Sequence, residues 1–152
     1  MLSKTKKKRE WQQLFMDIAK RFSEKSEDES TKVGAIIVDQ DKNVRALSYN
    51  GLPRGIRHLK KRQRRKNKYN YFVHAEINVI CSAARIGVST KGCSLYVTMS
   101  PCADCARAII QAGIKEVIVE SLKVPERWKE SIGIALEMFK EAEVKVIELQ
   151  KK

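Results

Sequence analysis

Four residues of this chain have the types and the spacing of a metal site with an acid–base partner. Cys102 and Cys105 stand three apart directly after Pro101, and His74 and Glu76 stand two apart earlier in the chain. Side chains three apart share one face of a helix, and a helix N-terminus favours thiolates. One imidazole and two thiolates suit zinc best. The pattern therefore predicts a zinc site formed by His74, Cys102 and Cys105.

Three protein ligands point to a catalytic zinc, because a structural zinc is usually closed by four. A catalytic zinc keeps one position for water and lowers the pKa of that water toward ~7. Glu76 could then take the water's proton and pass it to a substrate. A redox-active cysteine pair and a structural zinc completed by His58 are the other interpretations. The combination of His-x-Glu and Pro-Cys-x-x-Cys is the zinc deaminase signature, so we expect one catalytic Zn2+ per chain.

The sequence around these residues predicts the elements that position them. Helical spacing of apolar residues, with glycine, proline and Ser100 as boundary signals, predicts helices over residues 10–24, 74–85, 100–112 and 125–142. Short apolar runs predict strands at residues 33–38, 44–49, 94–98, 116–119 and 144–147. A hairpin followed by alternating strands and helices predicts an α/β fold, with a five-stranded mixed sheet covered by helices on both faces.

The length and the charge distribution limit the organisation and the location of the protein. The 152 residues suit one domain, and the formal net charge is +13. Five basic residues lie in 4–9 and seven in 60–68, neither stretch holding an acid, so the remainder is nearly neutral. We expect residues 1–9 to be a solvated basic tail and 10–150 a single domain. No apolar run approaches the ~20 residues of a membrane span, and no signal-peptide pattern is visible, so we expect a cytoplasmic protein without membrane contact.

Several stretches resemble one known family. The blocks STKVGAIIVD, HAEINVICSAARIG and GCSLYVTMSPCADCARAIIQAGIKEVIV resemble the core of the cytidine and deoxycytidylate deaminase family, and SYNGLPRGI resembles its substrate loop. The likeness covers residues 10–148 and is nearest to the deoxycytidylate (dCMP) deaminases. It implies the three-layer α/β/α sandwich of the cytidine deaminase-like fold.

The resemblance also implies an activity and residue roles. Zinc-bound hydroxide would attack C4 of the cytosine of dCMP, and ammonia would leave to give dUMP. The enzyme would then be a hydrolase of pyrimidine nucleotide biosynthesis that acts on a cyclic amidine. By position, the three predicted ligands would bind zinc and Glu76 would move the proton. The backbone of Ala75 would help to hold the ring, and Asn50 would hydrogen-bond the sugar hydroxyl.

The phosphate of such a substrate needs hydrogen-bond donors. Arg54 is the first candidate because its forked guanidinium matches phosphate, although a loop arginine can also be merely solvated. Thr31 and Lys32 are the second candidates. No cysteine lies between residues 51 and 73, so we expect no second zinc site. Ser48 replaces the glycine of the family's regulatory turn, which argues against dCTP and dTTP regulation.

Other functions stay open at this point. One is a nucleic-acid deaminase acting on tRNA adenosine or on a single strand, and another is a non-catalytic zinc-containing nucleic-acid-binding module. The basic run 60–68 could be solvated, steer a nucleotide inward, touch a phosphate or bind nucleic acid. Asp104 argues against the tRNA enzymes, which usually carry a methionine between the two cysteines. The sequence does not separate dCMP from dCTP, 5-substituted dCMP or a free nucleoside. We also expect a homo-oligomer, with a hexamer ahead of a dimer.

Overall fold

Five short strands form one mixed sheet in the computed structural model, which describes residues 3–149. The strands are β1 (Gly34–Val38), β2 (Val44–Tyr49), β3 (Ser94–Val97), β4 (Glu116–Val119) and β5 (Lys145–Glu148). Their order across the sheet is β2-β1-β3-β4-β5. β1 is antiparallel to both neighbours, whereas β3, β4 and β5 are parallel. The predicted five-stranded mixed sheet is confirmed.

Helices cover both faces of this sheet. They are α1 (Lys4–Ser23), α3 (Ala75–Ile86), α4 (Ala103–Gln111) and α5 (Lys129–Glu141), whereas α2 (Arg65–Tyr71) mainly contacts the turn at Lys60–Arg62. On one face, Phe15 and Met16 of α1 pack against alternate strand residues such as Ile36 and Ile118. The other face carries α3, α4 and α5, whose buried side chains pack against the intervening strand positions. The α/β/α sandwich is therefore confirmed.

The parallel half of the sheet decides where α4 and α5 lie. Strand–helix–strand crossovers between parallel neighbours are right-handed, and both crossovers here step in the same direction across the sheet. Both helices therefore lie on one face of the sheet. This is the face that α3 also covers. The carboxyl ends of β3 and β4 point to one edge of the sheet, and α4 begins just beyond the end of β3.

The N-terminal basic segment differs from the prediction. It forms the first turns of α1, because the Ser3 hydroxyl accepts a hydrogen bond from the Lys6 backbone N–H at 3.2 Å and caps the helix. The helix thus begins six residues before the predicted start, although its basic side chains are exposed as expected. The division into a tail, 1–9, and a domain, 10–150, stays a prediction, and residues 1, 2 and 150 lie outside the described part.

Two local features differ from the expectations. The basic run contains the start of α2, preceded by a single 3-10 turn at Lys60–Arg62, where no helix was predicted. α4 is capped at Cys102 rather than Ser100, because the Ser100 hydroxyl donates to the Ser121 carbonyl at 3.0 Å. Of the two cysteines outside the predicted metal site, Cys81 is exposed on α3 and Cys93 is buried. Among residues 3–149, no helix has both the length and the apolar character needed to cross a bilayer.

Gly34 marks a close approach between α1 and β1, and it gives the first testable prediction. A Cβ at this position would lie 1.9 Å from the Ala19 carbonyl oxygen, which is backbone and cannot yield by a side-chain rotation. We expect Gly34→Ala to lower the free energy of unfolding by about 3 kcal/mol, as overpacking does. The matched control is Gly133→Ala in α5, where nothing lies within 4 Å of the added carbon.

Gly133→Ala should raise the free energy of unfolding by up to ~1 kcal/mol, because alanine is the better helix former. Urea unfolding of both variants beside the wild type provides the measurement. A loss at Gly34 below about 1 kcal/mol would contradict the backbone contact.

Candidate active site

The three predicted metal ligands meet at one point, where two helices begin. His74 is the N-cap residue of α3, Cys102 is the N-cap residue of α4, and Cys105 lies in the first turn of α4. The His74 Nδ1 atom is 3.6 Å from the Cys102 Sγ atom and 3.3 Å from the Cys105 Sγ atom. All three candidate ligand atoms lie within 4.8 Å of one another. The predicted grouping of these residues is confirmed.

The distances between these atoms fit a zinc ion. Tetrahedral bonds of ~2.3 Å to sulfur and ~2.0 Å to nitrogen place the two donor atoms about 3.6 Å apart. Within residues 3–149, the His, Cys, Asp or Glu side chains that lie close enough together to hold a metal ion are those of His74, Cys102 and Cys105. His58 is not one of them, because its ring is on the surface beside Gln63, 2.7 Å from the Gln63 Nε2 atom. The interpretation of His58 as a fourth ligand is wrong.

The thiols and the imidazole perturb one another strongly. The hydrogen bond from the Cys105 thiol, aided by His74, lowers the pKa of Cys102 to about 4. The same contact raises the pKa of Cys105, because that thiol keeps the shared proton. The hydrogen bond with Cys102 is also the main reason that the pKa of His74 is raised. The group therefore holds a thiolate at neutral pH, and a cation can replace the shared proton.

Glu76 is a carboxyl group in a dry environment beside this cluster. It lies in the first turn of α3 and is only 4% exposed. Burial raises the pKa of Glu76, while the neighbouring His74 partly opposes the shift. A carboxyl group whose pKa is raised by burial, and that lines the same cavity as His74, has the properties of a proton shuttle.

The cavity beside the metal ligands has an aromatic wall. The Trp128 ring meets the His74 ring at 6.2 Å between centroids and 77°, which is an edge-on contact. The Tyr69 ring of α2 meets Trp128 at 6.2 Å and 73°. No sequence pattern predicts this wall, because the apolar spacing places Trp128 within the predicted helix 125–142. Its position just before α5, at the cavity edge, carried no signal in the sequence.

Three of the five predicted substrate-binding residues line this cavity: Thr31, Asn50 and Ala75. The Asn50 side chain is held firmly by backbone groups. Its Oδ1 atom accepts a hydrogen bond from the Val33 N–H at 2.8 Å, and its Nδ2 atom donates to the Thr31 carbonyl at 2.8 Å. Ala75 is fully buried and is the first residue of α3. The structure thus brings these residues together with the metal ligands.

The other two predicted residues lie elsewhere, and this corrects their placement. The Arg54 guanidinium donates to the Ser82 hydroxyl at 3.2 Å, because the loop after β2 turns outward along α3. The Lys32 ammonium lies at the surface and donates to the Glu24 carbonyl at 3.3 Å. Within the described chain, the basic side chains that line the cavity are those of Lys68 and Arg127.

Lys68 forms a buried ion pair that no sequence pattern predicts. Its ammonium lies 2.6 Å from the Asp28 Oδ2 atom, and the two side chains are 13% and 1% exposed. Both residues line the cavity. They are 40 positions apart in a polar connection and a basic run, so no local pattern could have paired them.

Comparison with known proteins yields a consistent set of relatives. The profile of the cytidine and deoxycytidylate deaminase zinc-binding region matches residues 9–121. The deoxycytidylate deaminase of Homo sapiens is 42% identical over 120 residues, which are 75% of this chain and 66% of the human protein. The chain thus spans just under two thirds of that relative. An uncharacterized deaminase of Aliivibrio fischeri is 36% identical over 138 residues, covering 90% of this chain and 91% of the relative.

Comparison with solved structures also finds a dCMP deaminase. The dCMP deaminase of cyanophage S-TIM5, in complex with dCMP and dUMP, has a TM-score of 0.74 and 28% sequence identity. The match covers 97% of this chain and 99% of that chain. The similarity therefore extends over the whole fold and is not confined to the motifs around His74 and Cys102.

The Asp28–Lys68 pair predicts how stability depends on pH. Burial alone would raise the pKa of Asp28, but hydrogen bonds from Lys68, Thr31 and Ser30 outweigh it and lower the pKa. A carboxylate with a lowered pKa stabilises the folded state above its unfolded pKa of ~3.9, and this contribution is lost as pH falls through the folded-state value. Asp28→Asn should therefore destabilise the protein most above about pH 5.

Urea unfolding of wild type and Asp28→Asn between pH 6.5 and pH 3 measures this dependence. We expect the difference in free energy of unfolding to shrink as the pH approaches 3. A difference that grows toward acid pH would contradict the ion pair.

Proposed function

The chain belongs to the cytidine and deoxycytidylate deaminase family, and we propose that it is a zinc-dependent dCMP deaminase that converts dCMP and water to dUMP and ammonia. One observation carries the proposal. An open set of three ligands, His74, Cys102 and Cys105, lies beside the buried carboxyl group of Glu76 at one cavity. The relatives named above support the choice of a deoxycytidylate substrate.

One metal ion per chain would be held by the His74 Nδ1 atom and the two cysteine sulfurs. When bound, zinc supplies a water that loses its proton near neutral pH. The chain's own contribution is to fix the three ligands at two helix N-termini, which stabilise thiolates. It also keeps the nearby carboxyl group away from bulk water.

Glu76 moves the protons in this proposal. Its carboxylate takes a proton from the water that adds to C4 of cytosine, and it delivers a proton to the amino group, which leaves as ammonia. The raised pKa of Glu76 suits both steps, because the group must accept and release a proton near neutral pH. Ala75 precedes it at the start of α3, where backbone N–H groups have no helical partner and can hold the pyrimidine ring.

The remaining cavity residues can hold the rest of the nucleotide. Trp128 and Tyr69 provide an aromatic wall for the pyrimidine. Asn50 provides a hydrogen-bond acceptor for the sugar hydroxyl. Thr31 provides a hydroxyl group that can hydrogen-bond to the nucleotide. Arg127 replaces Arg54 as the candidate phosphate ligand, because its exposed guanidinium lines the cavity.

The placement of the two basic segments favours a nucleotide over a polyanion. The first turns of α1 lie beside the end of β1 and the beginnings of β3 and β4. The catalytic cavity and the run 60–68 lie toward the opposite, carboxyl ends of β3 and β4. The two segments therefore do not combine into one basic face. Homo-oligomer formation, with a hexamer ahead of a dimer, and a cytoplasmic location stay predictions.

Metal analysis tests the zinc site. The purified protein should contain about one zinc per chain, and Cys105→Ala should lose most of it, because two ligands bind far more weakly than three. Cys81→Ala is the matched control, since Cys81 is exposed on α3 and away from the cluster. Retention of one zinc in Cys105→Ala would contradict the assignment.

Glu76→Gln tests the proposed chemistry, because it keeps the size of the side chain and removes its ability to carry a proton. We expect kcat for dCMP to fall roughly 10²–10⁴-fold, the usual contribution of a general acid–base group. Zinc content should stay unchanged. Product mass and released ammonia report the reaction.

A substrate panel in the same assay separates the proposal from its rivals. It contains dCMP, CMP, cytidine, dCTP, 5-methyl-dCMP and tRNA. Turnover of dCMP should change little with salt, whereas binding of a polyanion weakens steeply. Activity on tRNA alone, or full activity in Glu76→Gln, would overturn the proposal.

A further inference from the structure

Asp28 is the most heavily hydrogen-bonded side chain near the cavity, and the proposed chemistry does not use it. Its Oδ1 atom accepts from the Ser30 and Thr31 backbone N–H groups at 2.9 and 3.0 Å, and from the Ser30 hydroxyl at 3.0 Å. Its Oδ2 atom accepts from the Asn50 Nδ2 atom at 3.2 Å. Lys68 contacts both oxygens. A buried carboxylate with so many partners fixes the groups around it.

The contact with Asp28 decides which way the Asn50 amide faces. Both Nδ2 protons are used, one by Asp28 and one by the Thr31 carbonyl. The Oδ1 atom has two acceptor positions, of which the Val33 N–H takes one. A flipped amide would place its oxygen against a carboxylate and a carbonyl. Asn50 can therefore offer the cavity a single group, the free acceptor position on Oδ1.

Lys68 holds Asp28 in place from the other side. Its ammonium has three protons, and three acceptors lie within reach: Asp28 Oδ1 at 2.8 Å, Asp28 Oδ2 at 2.6 Å and the Ser30 hydroxyl at 2.6 Å. Every donor of Lys68 is thus engaged, and the charge of Asp28 compensates its own. Although Lys68 belongs to the basic run, it is not free to bind an anionic substrate.

A second residue of the basic run holds the same loop. The Gln63 Nε2 atom donates to the Glu27 carbonyl at 2.8 Å, and its Oε1 atom accepts from the Glu29 N–H at 3.4 Å. Gln63 and Lys68 therefore hold the loop 27–30 on both sides of Asp28. The other basic side chains of α2, Arg65 and Lys66, are exposed.

We propose that Asp28 and Lys68 are positioning residues, which orient the Asn50 amide so that its free acceptor receives the sugar hydroxyl of the substrate. This assignment rests on the proposed dCMP deaminase function. dCMP has one sugar hydroxyl, at C3′, because C2′ has none and the 5′ oxygen is esterified. The C3′ hydroxyl would donate a hydrogen bond to the free acceptor position on the Asn50 Oδ1 atom. Lys68 of the basic run thus acts on the substrate indirectly, through Asp28 and Asn50.

The test compares kcat/KM for dCMP with kcat/KM for 2′,3′-dideoxycytidine 5′-monophosphate, which lacks only that hydroxyl. Wild type should prefer dCMP by about tenfold or more, the value of one well-placed hydrogen bond. Asp28→Asn should reduce the preference to below about threefold, because the new amide no longer fixes Asn50. The loss should fall on dCMP, with the dideoxy substrate nearly unchanged. This selective loss is a result that a merely structural role would not give.

Lys68→Gln provides a second variant if Asp28→Asn fails to fold. This variant should also lower the preference for dCMP over the dideoxy substrate, because it removes the ion pair that holds Asp28. Lys66→Gln is the matched control: it lies two residues away on α2, is exposed, and should leave both substrates unchanged. Zinc content and circular dichroism check the fold of each variant.

Three results would overturn the assignment. Equal losses on both substrates in Asp28→Asn and Lys68→Gln would show a structural role only. A wild type that does not distinguish the two substrates would show that Asn50 makes no contact with the hydroxyl. A wild type that turns over neither substrate would contradict the proposed function itself, and the assignment with it.

Discussion

Two helices begin at the same buried point, and this convergence is the constraint on which the rest of the structure depends. His74 caps α3 and Cys102 caps α4, so the ligands come from segments 28 residues apart in sequence. The helix N-termini provide a favourable field for thiolates and for a carboxylate such as Glu76. The convergence itself follows from the parallel pairing of β3 and β4, whose right-handed crossover places α4 beside α3.

A second fixed point lies at the other end of the cavity. There the polar loop before β1, the last turn of α2 and the residue after β2 are joined through Asp28, Lys68 and Asn50. In the proposed reaction, the metal ligands would define where the reacting carbon lies, and Asn50 would define where the sugar lies. Trp128 and Tyr69 occupy one side of the cavity between them. Much of the positive charge of the run 60–68 is exposed to solvent, while Gln63 and Lys68 of this run hold the loop 27–30.

The sequence predicted the catalytic end of the site far better than the substrate end. His74, Glu76, Cys102 and Cys105 lie in two short motifs, and the order of elements is enough to bring the helix starts together. Helix α2 was missed because its residues are polar or aromatic without an apolar stripe, and its docking depends on Lys68 and the distant Asp28. Arg54 was misplaced because the direction of its loop is decided by tertiary contacts along α3. Such long-range pairing leaves no periodic signal in a single sequence.

The central claim is that three protein ligands hold the metal and leave one position open beside Glu76. X-ray absorption at the zinc edge of the purified protein tests it most directly. We expect two sulfur neighbours at about 2.3 Å and two lighter neighbours, of which only one scatters as an imidazole ring. A third sulfur or a second imidazole would show a closed structural site and would contradict the account.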